Sequence, residues 1–154
     1  MLVEGEGQLK GFMCVAGNPV LSTPNGEKLD KAFADLDFMV SFEYYVTETS
    51  RHATIILPPV SALERDHYDV TFNGFATHNV AKYSPALFNK PKDAKHDWQI
   101  YLDLAERLDK KAPLATKVER KLIQKLGPKF VLDQGLRRGP YYGLTLRKLK
   151  KYPH

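Results

Sequence analysis

Apolar residues fall in short bursts over the first sixty positions and then shift to a helical spacing. Residues 9–15 (Leu-Lys-Gly-Phe-Met-Cys-Val) predict a short strand that ends at Ala16-Gly17. The stretch 18–26 carries two prolines and an Asn-Gly step, which is turn chemistry. Residues 27–36 place Leu29, Ala32, Phe33 and Leu36 on one face of a helix. A second apolar strand is predicted over 38–42, a short helix opening at Thr47 as N-cap, and a third strand over 54–57, halted by Pro58-Pro59. Strand, helix, strand, helix, strand in that order predicts an α/β fold: a Rossmann-like parallel sheet flanked by helices.

Beyond residue 58 the pattern weakens, with faint strand signals over 69–72 and 79–83. A helix with Asp97 as N-cap then carries Trp98, Ile100, Tyr101, Leu104, Ala105 and Leu108 on its apolar side. Another is predicted over 116–126, stopped by Gly127-Pro128, and a short basic helix over 145–151. The expected division is a Rossmann-like domain over 1–110 and a basic helical extension over 111–154.

Charge sharpens that division. Residues 1–109 carry 10 Lys and Arg against 16 Asp and Glu, a net −6, whereas residues 110–154 carry 13 against 2, a net +11. Such an extension can dock on an acidic partner surface or contact nucleic acid through its phosphates. Few aromatic residues interleave with the cations, which disfavours base stacking, and nucleic acid is the less expected partner. The lone cysteine, Cys14, excludes an internal disulfide and a multi-thiolate metal or iron–sulfur site. No apolar run reaches the ~20 residues of a membrane span, and the acidic start is unlike a secretory leader, so a cytoplasmic location is expected.

Candidate chemistry gathers where open parallel sheets bind ligands, at the carboxyl ends of the strands. Gly17-Asn18-Pro19 offers free backbone N–H groups ahead of a helix, and is either an anion cradle or simply a turn. Glu43, just past the second strand, is either an acceptor for two ribose hydroxyls or a solvated strand-end charge. Pro58-Pro59 leads to a third loop containing Glu64 and Arg65. The Gly-x-Gly-x-x-Gly fingerprint is absent. No nucleophile, acid/base pair or metal-ligand spacing emerges from Cys14, from His52, His67, His78, His96 and His154, or from the carboxylates Glu64, Asp66 and Asp69. No catalytic or metal-binding residue is therefore expected in this chain.

A linked pattern adds more. Val15-Ala16-Gly17-Asn18-Pro19-Val20-Leu21-Ser22 is followed by Leu36-Asp37-Phe38-Met39-Val40, Thr47-Glu48-Thr49, Ile55-Ile56-Leu57-Pro58, Glu64 and Lys95-His96-Asp97-Trp98-Gln99-Ile100. In order and spacing, over about residues 9–110, this resembles the third domain of the molybdopterin oxidoreductases, the dimethyl sulfoxide reductase and formate dehydrogenase family. Residues 138–144 with 146–149 also resemble a segment of some members.

The resemblance implies a cofactor-binding fragment of a much larger oxidoreductase, not catalytic alone, whose partners are the remaining domains of the parent. It implies a domain holding one nucleotide arm of a bis-molybdopterin guanine dinucleotide, with molybdenum or tungsten held elsewhere and no cofactor expected in the isolated chain. Carried over by motif, the nucleotide contacts fall on Gly17, Asn18, Pro19, Glu43, Arg65 and Asp97, with Phe42 lining the same pocket. This chain has Glu43 where the family usually has Asp, Ala53-Thr54 where it has Ala-Asp, and His67 where a glycine is common. The family's Asn-x-x-x-Arg element is not evident around residues 73–78. The alternative is a basic-tailed Rossmann-like interaction or nucleic-acid-binding module without a redox role.

Overall fold

The computed structural model of the chain describes residue 1, residues 5–139 and residues 143–151. It separates into two compact units, Met1–Pro59 and Val60–His154.

The first unit contains strand β1 (Gly11–Val15), helices α1 (Pro19–Ser22) and α2 (Gly26–Ala34), strand β2 (Phe38–Phe42), a 3-10 turn (Ser50–His52) and strand β3 (Ile55–Ile56). The strands are parallel in the order β1-β2-β3, with Cys14 opposite Ser41 and Val40 opposite Ile55. This is the expected parallel sheet with helical crossovers.

Alternation along the strands sorts their side chains. Cys14 and Met39 bury against Phe33 of α2, with Phe12, Val20, Leu29, Leu36 and Ala53 packed around them. The Phe12 and Phe33 ring centroids lie 5.0 Å apart. Met13, Val15, Phe38 and Ile55 share the other face and remain 45–47% exposed. A parallel sheet reads as apolar on both sides because both sides are normally covered, and here the helix covers one.

Two departures from expectation lie in the connections. The 18–26 stretch holds α1 as well as turns: Pro19 at the first helical position needs no hydrogen-bond acceptor, and the Asn18 carbonyl accepts from the N–H groups of Leu21 (3.0 Å) and Ser22 (2.9 Å). Asn25 then adopts φ 60°, and Gly26 starts α2 in close backbone contact with Val20. The helix expected after Thr47 is a single 3-10 turn. Thr47 Oγ1 accepts from Ser50 N–H (3.1 Å) while Thr47 N–H donates to Ser50 Oγ (2.7 Å), a reciprocal cap that closes over one turn only.

The second unit runs through a 3-10 turn (Ala62–Glu64), β4 (His67–Tyr68), α3 (Val70–Phe75), β5 (Tyr83–Ser84), α4 (Asp97–Leu108), α5 (Leu114–Leu126), α6 (Pro128–Arg138) and α7 (Leu146–Lys151). β4 and β5 pair antiparallel over two residues each. Its core is Tyr83, Leu136, Leu146 and Leu149, with Tyr68, Ala81, Leu132 and Leu144 against it. Lys129 of α6 pairs with Asp66.

Three expectations are corrected in this unit. Residues 70–75 form α3 rather than a strand, because the Asp69 carboxylate caps it by accepting from Phe72 N–H at 2.8 Å. The strand expected over 79–83 contracts to Tyr83–Ser84. Gly127-Pro128 ends α5 as expected, but Pro128 also opens α6, since proline suits a first helical position. The basic helix expected over 145–151 is α7. Residue 110, where the sequence suggests a boundary, lies between α4 and α5 and within the second unit. Pro140, Tyr141, Tyr142 and His154 lie outside the described residues.

Candidate functional site

In the first unit the carboxyl ends of β1 and β2 are tied together. Ala16 N–H donates to the Phe42 carbonyl at 3.0 Å, extending the ladder one step past the Val15–Phe42 pair. The step from Ala16, at φ 47°, to Asn18 turns the chain into α1. Gly17 does not need its missing side chain for space, because an added Cβ would meet only ordinary contacts at 3.6–4.0 Å. Among the described residues, the N–H groups of Gly17 and Asn18 donate to nothing.

Asn18 is held by its side chain rather than presenting it. Its Nδ2 donates to Glu48 Oε2 at 2.6 Å, and its Oδ1 accepts from Thr49 Oγ1 at 2.7 Å. The fully buried Thr49 hydroxyl also accepts from Val20 N–H at 3.0 Å. Glu48 and Thr49 thus orient this loop, a role that composition and spacing do not signal. Glu43 Oε1 accepts from Tyr44 N–H at 2.8 Å, and Oε2 has no partner among the described residues. Phe42 is 2% exposed, so what it offers here is its carbonyl. Cys14 is buried and its Sγ donates to the Gly17 carbonyl at 3.2 Å. Burial pushes the thiol up, the Gly17 bond opposes this, and the nearby Glu43 charge adds to it, consistent with an inert side chain.

A second set of bonds ties the 3-10 turn at Ser50–His52 to α2. Arg51 NH2 donates to both carboxylate oxygens of Asp30 on α2 at 2.7 Å, and His52 Nε2 lies 2.5 Å from Asp30 Oδ1. The Arg51 hydrogen bonds, then that of His52, hold the Asp30 carboxyl below its ordinary 3.8. A carboxylate with a depressed folded-state pKa stabilises fully above its unfolded value of about 4, and that contribution is lost as pH falls through the folded value. Unfolding followed from pH 7 to pH 2 should therefore show stability falling below about pH 4, with a shallower fall in Asp30→Asn. An identical acid limb in the variant would show that Asp30 contributes nothing.

In the second unit Arg65 NH1 donates to Asp97 Oδ2 at 2.6 Å, both side chains being about a third exposed. Asp97 is the first residue of α4, and the cap is His96, which exchanges a capping box with Gln99. The expected N-cap role of Asp97 is thus corrected: its carboxylate is not used to close the helix. Its Oδ1 is buried without a hydrogen-bond partner among the described residues. A buried, unsatisfied carboxylate oxygen at a helix N-terminus is suited to a donor arriving from outside the chain.

None of these residues lines either of two surface hollows. One, of about 370 Å³, lies beside Pro24, Lys28 and Leu29. The other, of about 350 Å³, lies between α4 and α5. Among the described residues no cluster of three or more His, Cys, Asp or Glu could hold a metal, and no helix is long and apolar enough to cross a membrane.

A parallel β-α-β sheet with a pinned, N–H-bearing loop after its first strand defines a Rossmann-like α/β unit. Sequence comparison narrows the class: the molybdopterin oxidoreductase family model matches residues 3–107, and the chain belongs to that family. It is 37% identical over 105 residues to the assimilatory nitrate reductase catalytic subunit of Bacillus subtilis, covering 68% of this chain and 14% of that one. It is 32% identical over 108 residues to the F420-dependent formate dehydrogenase subunit alpha of Methanocaldococcus jannaschii, covering 70% and 15%. It is 33% identical over 107 residues to the nitrate reductase of Synechocystis sp., covering 67% and 14%. The chain thus spans about one seventh of the length of the curated relatives it matches. Membership in this family implies a molybdopterin cofactor.

Proposed function

We propose that the first unit holds a nucleotide arm of a molybdopterin guanine dinucleotide cofactor, as part of a larger oxidoreductase. The observation that carries this is the 16–18 loop: its N–H groups are unspent while Glu48 and Thr49 hold it in place, and it stands beside a Glu43 carboxylate with one free oxygen. Gly17 and Asn18 N–H groups bind phosphate oxygens, and Glu43 accepts from ribose hydroxyls, each charge-assisted hydrogen bond contributing about 1.5–3 kcal/mol when well formed. Pro19 fixes the start of α1, and Phe42 supplies the carbonyl that anchors Ala16.

In the second unit, Asp97 Oδ1 is suited to accept from the N–H edge of a base, with Arg65 orienting the carboxylate. The cofactor, when bound, supplies two-electron chemistry at its metal, and this chain supplies positioning and no catalytic residue. The other domains of the enzyme are its partners. The uncovered apolar face of Met13, Val15, Phe38 and Ile55 supports packing against such further polypeptide.

Titration with GMP and GDP, followed by amide NMR, tests this. The expected affinity is about −4 to −6 kcal/mol, millimolar to high micromolar, with shifts centred on residues 16–19 and 43. Glu43→Ala should weaken it about tenfold. Gly17→Ala should leave the fold intact and weaken phosphate binding by obstructing close approach. Shifts confined to the basic residues beyond 110, or unchanged in Glu43→Ala, would show charge attraction alone.

A further inference from the structure

Helix α5 lies beyond the residues that match the family model. Its inward side is set by the half-buried Thr116, Arg120, Ile123 and Gln124. Arg120 ties it to the end of α4, NH1 donating to the Ala105 carbonyl at 3.2 Å and NH2 to Asp109 Oδ2 at 2.9 Å. A second apolar ridge points away from that side. Leu114, Val118 and Leu122, spaced i, i+4, i+8, are 78%, 58% and 48% exposed. At 3.6 residues per turn, Lys117, Lys121 and Lys125 form the adjoining row.

The ridge also borders the hollow of about 350 Å³ between α4 and α5, which is lined by Leu114, Val118, Lys110, Lys117 and Lys121, with Glu106 and Asp109 as its acids. Lys117 Nζ donates to the Lys110 carbonyl at 2.9 Å, and neither Lys121 nor Lys125 has an acidic partner among the described residues.

We propose that this outward face of α5 is a docking surface for an acidic amphipathic polypeptide segment, one that lays apolar residues along Leu114, Val118 and Leu122 and carboxylates along Lys117, Lys121 and Lys125. Charge complementarity selects the occupant: residues 110–154 carry +11, and the lysine row leaves an apolar partner unmatched. The apolar ridge selects against a phosphodiester chain, which would pair with the lysines and leave the leucines wet, and no aromatic side chain lines the hollow for base stacking. An amphipathic helix satisfies both rows at once.

The test uses the full chain and a synthetic helical peptide as long as α5, with leucines at i, i+4, i+8 and glutamates beside them. Polyglutamate of equal charge and a DNA duplex of equal length serve as competitors. The peptide should bind at least about tenfold more tightly than polyglutamate, since apolar burial adds to charge pairing. Val118→Ser with Leu122→Ser should abolish that advantage. Lys117→Gln with Lys121→Gln should weaken peptide and polyglutamate alike, and added salt should weaken both. The serine positions are solvent-facing, so helix content should persist; should it fall, the glutamine pair and the competitor ranking decide. Equal binding of peptide and polyglutamate, or tighter binding of the duplex, would overturn the proposal. Self-association in sedimentation that the serine pair removes would also overturn it, by making a second copy the occupant.

Discussion

Gly26→Ala is expected to destabilise the first unit by about 3 kcal/mol, the upper end of what overpacking costs. A Cβ on Gly26 would sit 2.1 Å from the Val20 carbonyl oxygen and 3.3 Å from its carbon. Both are backbone atoms, so no side chain can rotate away. Relief requires α1 to separate from α2, and α1 carries Val20 into the core beside Phe33 and Met39. Hydrogen exchange at the β1 and β2 amides measures this, and should accelerate about a hundredfold. Gly74→Ala is the control: it lies within α3 with nothing within 4 Å of the added methyl, and should be neutral or slightly stabilising. Unchanged exchange in Gly26→Ala would mean that the α1–α2 contact is looser than the structure has it.

Thr49→Val is expected to cost about 2–6 kcal/mol and to loosen the 16–18 loop as well. The isosteric valine keeps the volume but orphans two groups, Val20 N–H and Asn18 Oδ1, each worth about 1–3 kcal/mol when buried without a partner. Thr49→Ser retains both bonds and should lose only the value of one methyl, about 1 kcal/mol. The pair separates positioning from packing: GDP binding should survive in the serine variant and fall in the valine variant beyond what lost stability explains. Equal binding by both would show that the loop holds its shape without Thr49.

The contrast between these two residues shows what the chain discloses before folding. β2 and the helical turns of Leu29, Ala32 and Phe33 are legible because burial imposes a period that any reader can count, although α2 ends at Ala34, short of Leu36. In the sequence Gly26 is half of an Asn-Gly turn, and nothing local reveals that a carbonyl from six residues earlier leaves no room for a methyl. The sequence places Gly17 and Glu43 just past strand ends and Asp97 at a helix start, where the structure has them. The commitment of the Asn18 side chain to Glu48 and Thr49 is not legible, because those bonds span some thirty residues. α3 and α6 are hidden in the sequence for a local reason: Asp69 and Pro128 begin helices there, and both residue types also mark turns.

The division at Pro59 decides how such measurements can be read. The chain has one tryptophan, Trp98, and it belongs to the second unit, in α4 next to His96, whose ring stacks on it with centroids 6.2 Å apart. Indole emission therefore follows α4, whereas Gly26, Thr49 and Asp30 sit in a unit that emits only through Tyr44 and Tyr45 among its aromatic phenols. A melting curve read at tryptophan wavelengths can stay level while the 16–18 loop is already gone. Excitation chosen for tyrosine, or an indole placed at an exposed position of the first unit such as Tyr45, makes that loss visible.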